Sequence, residues 1–161
     1  MRDAFGGLIN IAIIIVFLVI VSGYMAYNVS YTKAFKVKNK VISTIEEFEG
    51  KCDFSKDGDK CVKIIDTFMR QIGYNPVSKT ELNNNKHNFD IPNGCKTSNV
   101  YCQTGYCTMK CQYNTEIANK YYYYRVVTYV TLDIPIINKV MSGMTVFQVT
   151  GDTMRIRKPT G

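Results

Sequence analysis

The chain has 161 residues, 46% apolar, 20% charged and 12% aromatic, and 20 Lys and Arg against 13 Asp and Glu give a net charge of +7. That is one domain's worth of chain, and the composition is not that of a disordered or low-complexity protein. A single histidine, His87, excludes a multi-histidine metal site, and six cysteines in so short a chain point to an oxidising compartment.

Residues 1–3 read as a short leader. From Ala4 to Thr32, between Asp3 and Lys33, no side chain is charged, and Leu8 to Val21 is almost wholly apolar. A membrane span needs about 20 apolar residues at 1.5 Å each to cross a hydrocarbon core of about 30 Å. A β-branched run of this kind is a poor helix in water, but in lipid it must be one, because backbone groups find no other partners. Tyr24, Tyr27 and Tyr31 follow at helical spacing and suit the lipid–water boundary. A cleaved signal peptide is the alternative, with small residues at Val21-Ser22-Gly23 near a cut. The one basic residue of the leader and the aromatic belt that continues the helix favour an uncleaved anchor. Gly6, Gly7, Ala12, Ser22 and Gly23 would let another helix approach closely.

No Pro or Gly interrupts residues 24–49, and Val37, Val41, Ile45 and Phe48 form one apolar stripe, widened by Ile42. Lysines 33, 36, 38 and 40 and Glu46, Glu47 and Glu49 take the other face, and Gly50 is a natural stop. The expectation is one helix of about 45 residues, with residues 4–32 in lipid and 33–50 amphipathic. A kink at Asn28-Val29-Ser30 would instead give two helices. Orientation is contested. The four lysines after the span would hold the C-terminal part in the cytoplasm by the positive-inside rule. The cysteines argue for the outside, and we side with them.

Residues 51–161 carry 15 basic and 9 acidic side chains, a surplus of six, with no clustered basic stripe of the kind a nucleic-acid reader shows. A second helix fits Lys60 to Ile72. Val62, Ile65, Met69 and Ile72 line one face, Asp59 caps the start and Gly73 ends it. Strands are expected at about Tyr106 to Tyr113, Tyr121 to Ile134 and Thr145 to Arg157. In the second, even positions Tyr122, Tyr124, Val126, Val130, Leu132 and Ile134 make an apolar face, and odd positions are more polar. In the third, the apolar phase changes between Val149 and Met154, and Gly151 is the expected bulge. Consecutive strands without intervening helices predict an antiparallel sheet, and the amphipathic half of the first helix is its expected cover. The fold class is therefore α+β. Between the last two strands, Ile136, Ile137, Val140, Met141 and Met144 are unusually apolar for a connection; tucking under the sheet is the default, and facing a partner or the membrane makes them candidate partner contacts.

Cys52 and Cys61 flank a short loop, while Cys95, Cys102, Cys107 and Cys111 cluster later. Sequence cannot choose among the possible pairings; the local expectation is Cys52 with Cys61 and the other four among themselves. The cluster lacks the Cys-x2-Cys knuckle of a zinc site. Asp53 to Asp59 has oxygen-bearing residues spaced as in the first half of a calcium loop. Cys61 and Ile64 stand where later ligands would, so an Asp-Gly turn leading to a helix cap is favoured. His87 lies in an Asn-rich loop. No catalytic constellation emerges, and no enzyme, cofactor or metal is expected.

An apolar helix near the N-terminus, continued by an amphipathic half and followed by a disulfide-bearing antiparallel sheet, resembles the type IV pilin plan. The stretches 126–137 (VVTYVTLDIPII) and 147–156 (FQVTGDTMRI) resemble the ending of TadE-like minor pilins of tight-adherence pilus systems. The likeness covers about residues 4–49 and 121–157, and the cysteine-rich middle has no counterpart. It implies a non-enzymatic, single-pass surface protein with its C-terminal domain outside. Its partners would be the lipid bilayer and other pilin-like or pilus-assembly subunits, not nucleic acid. A prepilin of this plan carries a Glu near the start of its mature helix. Here no acidic residue lies between Ala4 and Lys40, which implies a minor or accessory subunit or an anchor that stays in the membrane. The other reading is a stand-alone membrane-tethered binding or adhesion module. Its recognition surface would be Tyr101, Tyr106, Tyr113, Tyr121 and Tyr123.

Overall fold

The computed structural model describes residues 2–84, 91, 94–112, 121–130 and 147–158. Helix α1 runs unbroken from Arg2 to Glu47, 46 residues, as its apolar and amphipathic halves require. It does not divide into two helices at Asn28. The Asn28 side-chain amide bonds back to the Tyr24 carbonyl (2.9 Å), and Thr32 does the same to Asn28 (2.8 Å), so both polar groups are satisfied within the helix. The helix ends in a Schellman turn. The Gly50 N–H reaches the Ile45 carbonyl at 2.8 Å and Glu49 reaches Glu46 at 3.0 Å, with Glu49 itself left-handed at φ 52°. Gly50 is required one residue later, because a Cβ there would lie 2.6 Å from the Tyr122 hydroxyl.

Helix α2, Lys60–Gln71, begins on Asp59, whose carboxylate accepts the Cys61 N–H at 2.9 Å. It closes with Gly73 at φ 60°, and buries Cys61, Val62, Ile65 and Met69. The short α3, Lys79–Asn84, follows. Among the described residues five strands form one antiparallel sheet: β1 (Cys95–Gln103), β2 (Tyr106–Gln112), β3 (Tyr121–Val130), β4 (Phe147–Asp152) and β5 (Ile156–Arg157). The order is β1-β2-β3-β4, with β5 also paired to β3.

The period-two alternation of β3 sends its residues to two cores. Tyr122, Tyr124, Val126 and Val130 face α1 and α2 and meet Ala34, Val37, Val41, Ile45, Val62 and Ile65. The amphipathic half of α1 is thus the cover of the sheet. The opposite face is buried too. Val127 and Tyr129 join Cys107, Met109 and Cys111 under Val77 and Leu82. The odd face of β3, the more polar by sequence, is half-buried at Tyr121, Tyr123 and Arg125 and buried at Val127 and Tyr129, which pack with Val77 and with Leu82 of α3.

Two further expectations change. Strand β1, Cys-Lys-Thr-Ser-Asn-Val-Tyr-Cys-Gln, is too polar for a periodicity signal and is held by pairing to β2. Thr104 and Gly105 form the tight turn between them. Gly105 stands at φ 88°, and a Cβ there would lie 2.8 Å from Pro76. The phase change near the C-terminus falls at residues 153–155, not at Gly151. Arg125 pairs with Asp152 and Tyr122 with Ile156, so three steps on β3 face four on its neighbour. Thr153 bridges the gap, its hydroxyl accepting the Tyr124 N–H at 2.9 Å. Gly151 instead lets α1 approach, since a Cβ would meet Lys38 at 2.9 Å and Ile42 at 3.0 Å.

Candidate functional site

The most unusual surface is the first half of α1. The large apolar side chains from Ile9 to Ile20 are each 42–63% exposed, and no described residue covers them. This helix is long and apolar enough to cross a membrane. Its polar side chains suit that setting, since Ser22 donates to the Leu18 carbonyl at 2.7 Å and leaves no orphan hydroxyl. Above this half come the three tyrosines. Tyr24 is 67% exposed; Tyr27 turns inward, stacks on Tyr31 at 6.2 Å and meets Phe147 edge-on at 5.7 Å. Tyr27 is thus both on the belt and on the base of the globular part. Beyond it, Lys33 donates to the Gly73 carbonyl at 2.8 Å, tying α1 to the end of α2.

All six cysteines are paired: Cys52–Cys61, Cys95–Cys111 and Cys102–Cys107. The last two join residues directly opposite each other on β1 and β2. Register and hydrophobic face together choose them, since Cys102, Cys107 and Cys111 all lie in the core on the far side of the sheet. A single thiol–carboxylate group, Cys52, Asp59 and Cys61, has the proximity a metal needs among the described residues. Its sulfurs are spent in a disulfide, and Asp59 caps α2.

The acidic loop is equally committed. Asp53 accepts from the Ser55 backbone at 3.1 Å and pairs with Lys56 at 3.1 Å, while Asp57 pairs with Lys79 on α3. The Ser55 and Lys79 hydrogen bonds respectively hold the two carboxyls below the usual carboxylate range. Asp66 moves the other way, because partial burial raises it. Each of the loop carboxylates serves a turn, a cap or an inter-element pair, as the Asp-Gly turn reading expects.

The tyrosines separate by role. Tyr74, missed by sequence reading, is buried and locks three segments. Its hydroxyl donates to the Tyr129 carbonyl, lies 3.2 Å from the Gly105 carbonyl and accepts the Tyr129 N–H at 3.3 Å. Burial pushes it up to about 12. Tyr124 donates to the Gly50 carbonyl at 3.3 Å and is also pushed up to about 12 by burial. Tyr106 is fully buried, its hydroxyl has no partner among the described residues, and burial raises it strongly. Of the five tyrosines expected to form a recognition surface, Tyr106 therefore cannot, and Tyr101 is 41% exposed. Tyr113 lies outside the described residues, as do His87 and the candidate partner contacts Ile136, Ile137, Val140, Met141 and Met144.

At the end of the domain away from Phe147, a cleft of about 820 Å³ opens between the end of α1, β2 and β5. It holds Lys51, Lys110, Arg155, Arg157 and Lys158 against Glu46 and Glu49. Local bonds engage several of these groups: Glu49 pairs with Lys51 at 3.0 Å, Glu46 accepts the Met154 N–H at 2.7 Å, and Lys110 sits 4.1 Å over the Tyr122 ring. The geometry combines a bare apolar helix with a stapled, doubly packed sheet. Comparison of the chain with family models, curated proteins and solved structures finds no match to any of them.

Proposed function

We propose that this chain is a single-pass membrane protein of pilin-like, TadE-like character. It would be a non-enzymatic structural or assembly component of a pilus or related envelope complex. The observation that carries the reading is α1, one unbroken helix whose first half has no partner among the described residues and whose second half is core to a sheet domain. Such a bare half finds its partner in lipid, in the span of a neighbouring subunit, or in both. The three disulfides favour an extracytoplasmic domain over the cytoplasmic one that the lysines following the span would suggest.

The test is a photo-crosslinking side chain placed at Ile14 or Phe17 of the full-length chain in its own membrane. Adducts with other single-span envelope subunits are the expected result. Adducts with lipid alone would overturn assembly through α1 and leave a solitary tethered module. Intact mass after alkylation, with and without reduction, tests the compartment. Six blocked cysteines are expected, and six free thiols would place the domain in the cytoplasm.

A further inference from the structure

Among the described residues of the globular part, most large apolar side chains are buried, but Phe147 at the start of β4 is 43% exposed, as are Tyr101 (41%) and Met154 (77%) elsewhere on the surface. The position of Phe147 gives the reason. It packs edge-on against Tyr27 at 5.7 Å, and Tyr27 in turn stacks on Tyr31 at 6.2 Å. Counting about 30 Å of helix back from Tyr24, at 1.5 Å per residue, reaches Ala4 and uses the whole uncharged stretch of α1 below it. Tyr24 then marks the edge of the hydrocarbon. Tyr27 stands three residues further along the same unbroken helix, about 4.5 Å higher, inside a headgroup layer that is about 5–8 Å thick on each side. No linker separates span from domain, so the height of the base is set by the helix itself.

We propose that Phe147, together with Tyr27 and Tyr31, seats the base of the globular domain in the headgroup layer of the bilayer that α1 crosses. The partner is the lipid surface itself, met by aromatic rings rather than by charge. The nearest basic group described on α1, Lys33, is held by the Gly73 carbonyl. Aromatic rings are favoured at this depth, which offsets the exposure of Phe147 that water alone would oppose. The inference rests on α1 spanning the membrane, and the experiment separates the two claims.

The chain contains no tryptophan, so single-tryptophan variants of the full-length protein report their own depth without background. Ile15→Trp, Phe147→Trp and Met154→Trp are reconstituted in phosphatidylcholine–phosphatidylglycerol vesicles carrying acyl chains brominated at shallow or deep positions. Met154 is 77% exposed and lies beside Glu46, near the far end of α1. The expected pattern is quenching of Ile15→Trp by deep bromines and of Phe147→Trp by shallow ones, several-fold stronger than for Met154→Trp. If Ile15→Trp is quenched but Phe147→Trp behaves like Met154→Trp, the seating is overturned and the anchor stands. If Ile15→Trp is not quenched, the membrane-spanning reading fails and the seating fails with it. Gln148→Trp, exposed one step along the same strand, reports the same height should Phe147→Trp fail to fold.

Discussion

Three buried tyrosine hydroxyls with different fates show how this core treats polar atoms. Tyr106 is fully buried with Phe54 edge-on at 6.2 Å, and its hydroxyl has no partner among the described residues. A buried unpaired polar group costs about 1–3 kcal/mol, so Tyr106→Phe should be stabilising by about 1 kcal/mol, read as a higher urea midpoint at unchanged slope. Tyr74 is the opposite case. Its hydroxyl serves the Gly105 and Tyr129 backbones, so Tyr74→Phe should cost about 1–3 kcal/mol in the same assay. These groups also set the alkaline limit. Tyr74 and Tyr124 titrate at about 12 when folded, against 10.0 for an ordinary tyrosine. The folded state keeps protons that the unfolded state has lost, so their contribution is full below pH 10 and is lost as pH rises from 10 towards 12. Tyrosinate absorbance of the buried set should therefore rise together with loss of circular dichroism, not before it. Early, non-cooperative ionisation would contradict their burial.

Among the elements, helices were the most legible. The 3.6-residue spacing of Val37, Val41 and Ile45, and of Val62, Ile65 and Met69, marks buried faces that α1 and α2 do bury. Ala34 and Thr44 were not marked, yet both are fully buried, because the helix approaches the sheet closely enough for Thr128 to donate to the Ala34 carbonyl at 3.0 Å. Strand β1 was illegible because its stability comes from its neighbour and from two cross-strand disulfides. The chain-entropy relation assigns about 3 kcal/mol to the Cys95–Cys111 loop and about 2 kcal/mol to the shorter Cys102–Cys107 loop. Replacing each pair by alanine should lower thermal stability in that order, measured by calorimetry of the oxidised proteins. A larger loss from Cys102–Cys107 would mean that packing, not loop closure, dominates these two staples.

For the whole molecule, the decisive fact is that α1 belongs to two environments. Val37, Val41 and Ile45 are fully buried against the sheet, while the large apolar side chains from Ile9 to Ile20 are exposed. Burying each of Val37, Val41 and Ile45 contributes about 1.5–3 kcal/mol, a sum comparable to the 5–15 kcal/mol that holds a typical domain folded. A fragment of residues 51–161 should therefore lack cooperative unfolding and bind hydrophobic dyes, while residues 33–161 should fold as a soluble domain. A cooperatively unfolding 51–161 fragment would show that the sheet does not need its helical cover. The same reasoning places the boundary between the bare and the packed half of α1 near Tyr27, rather than at Gly50 where the helix ends.

The sequence by itself determined the long helix, its apolar and amphipathic halves, the second helix with its cap and stop, and the antiparallel character of the sheet. These follow from local periodicity and capping chemistry, which need no distant residue. Only the tertiary structure decided how the four clustered cysteines join, why Gly105 must be glycine, how closely α1 approaches Gly151, where the C-terminal strand slips by one residue, and that Phe147 meets Tyr27. Each of these depends on residues far apart in the chain being brought to one place, and local pattern carries no record of that meeting.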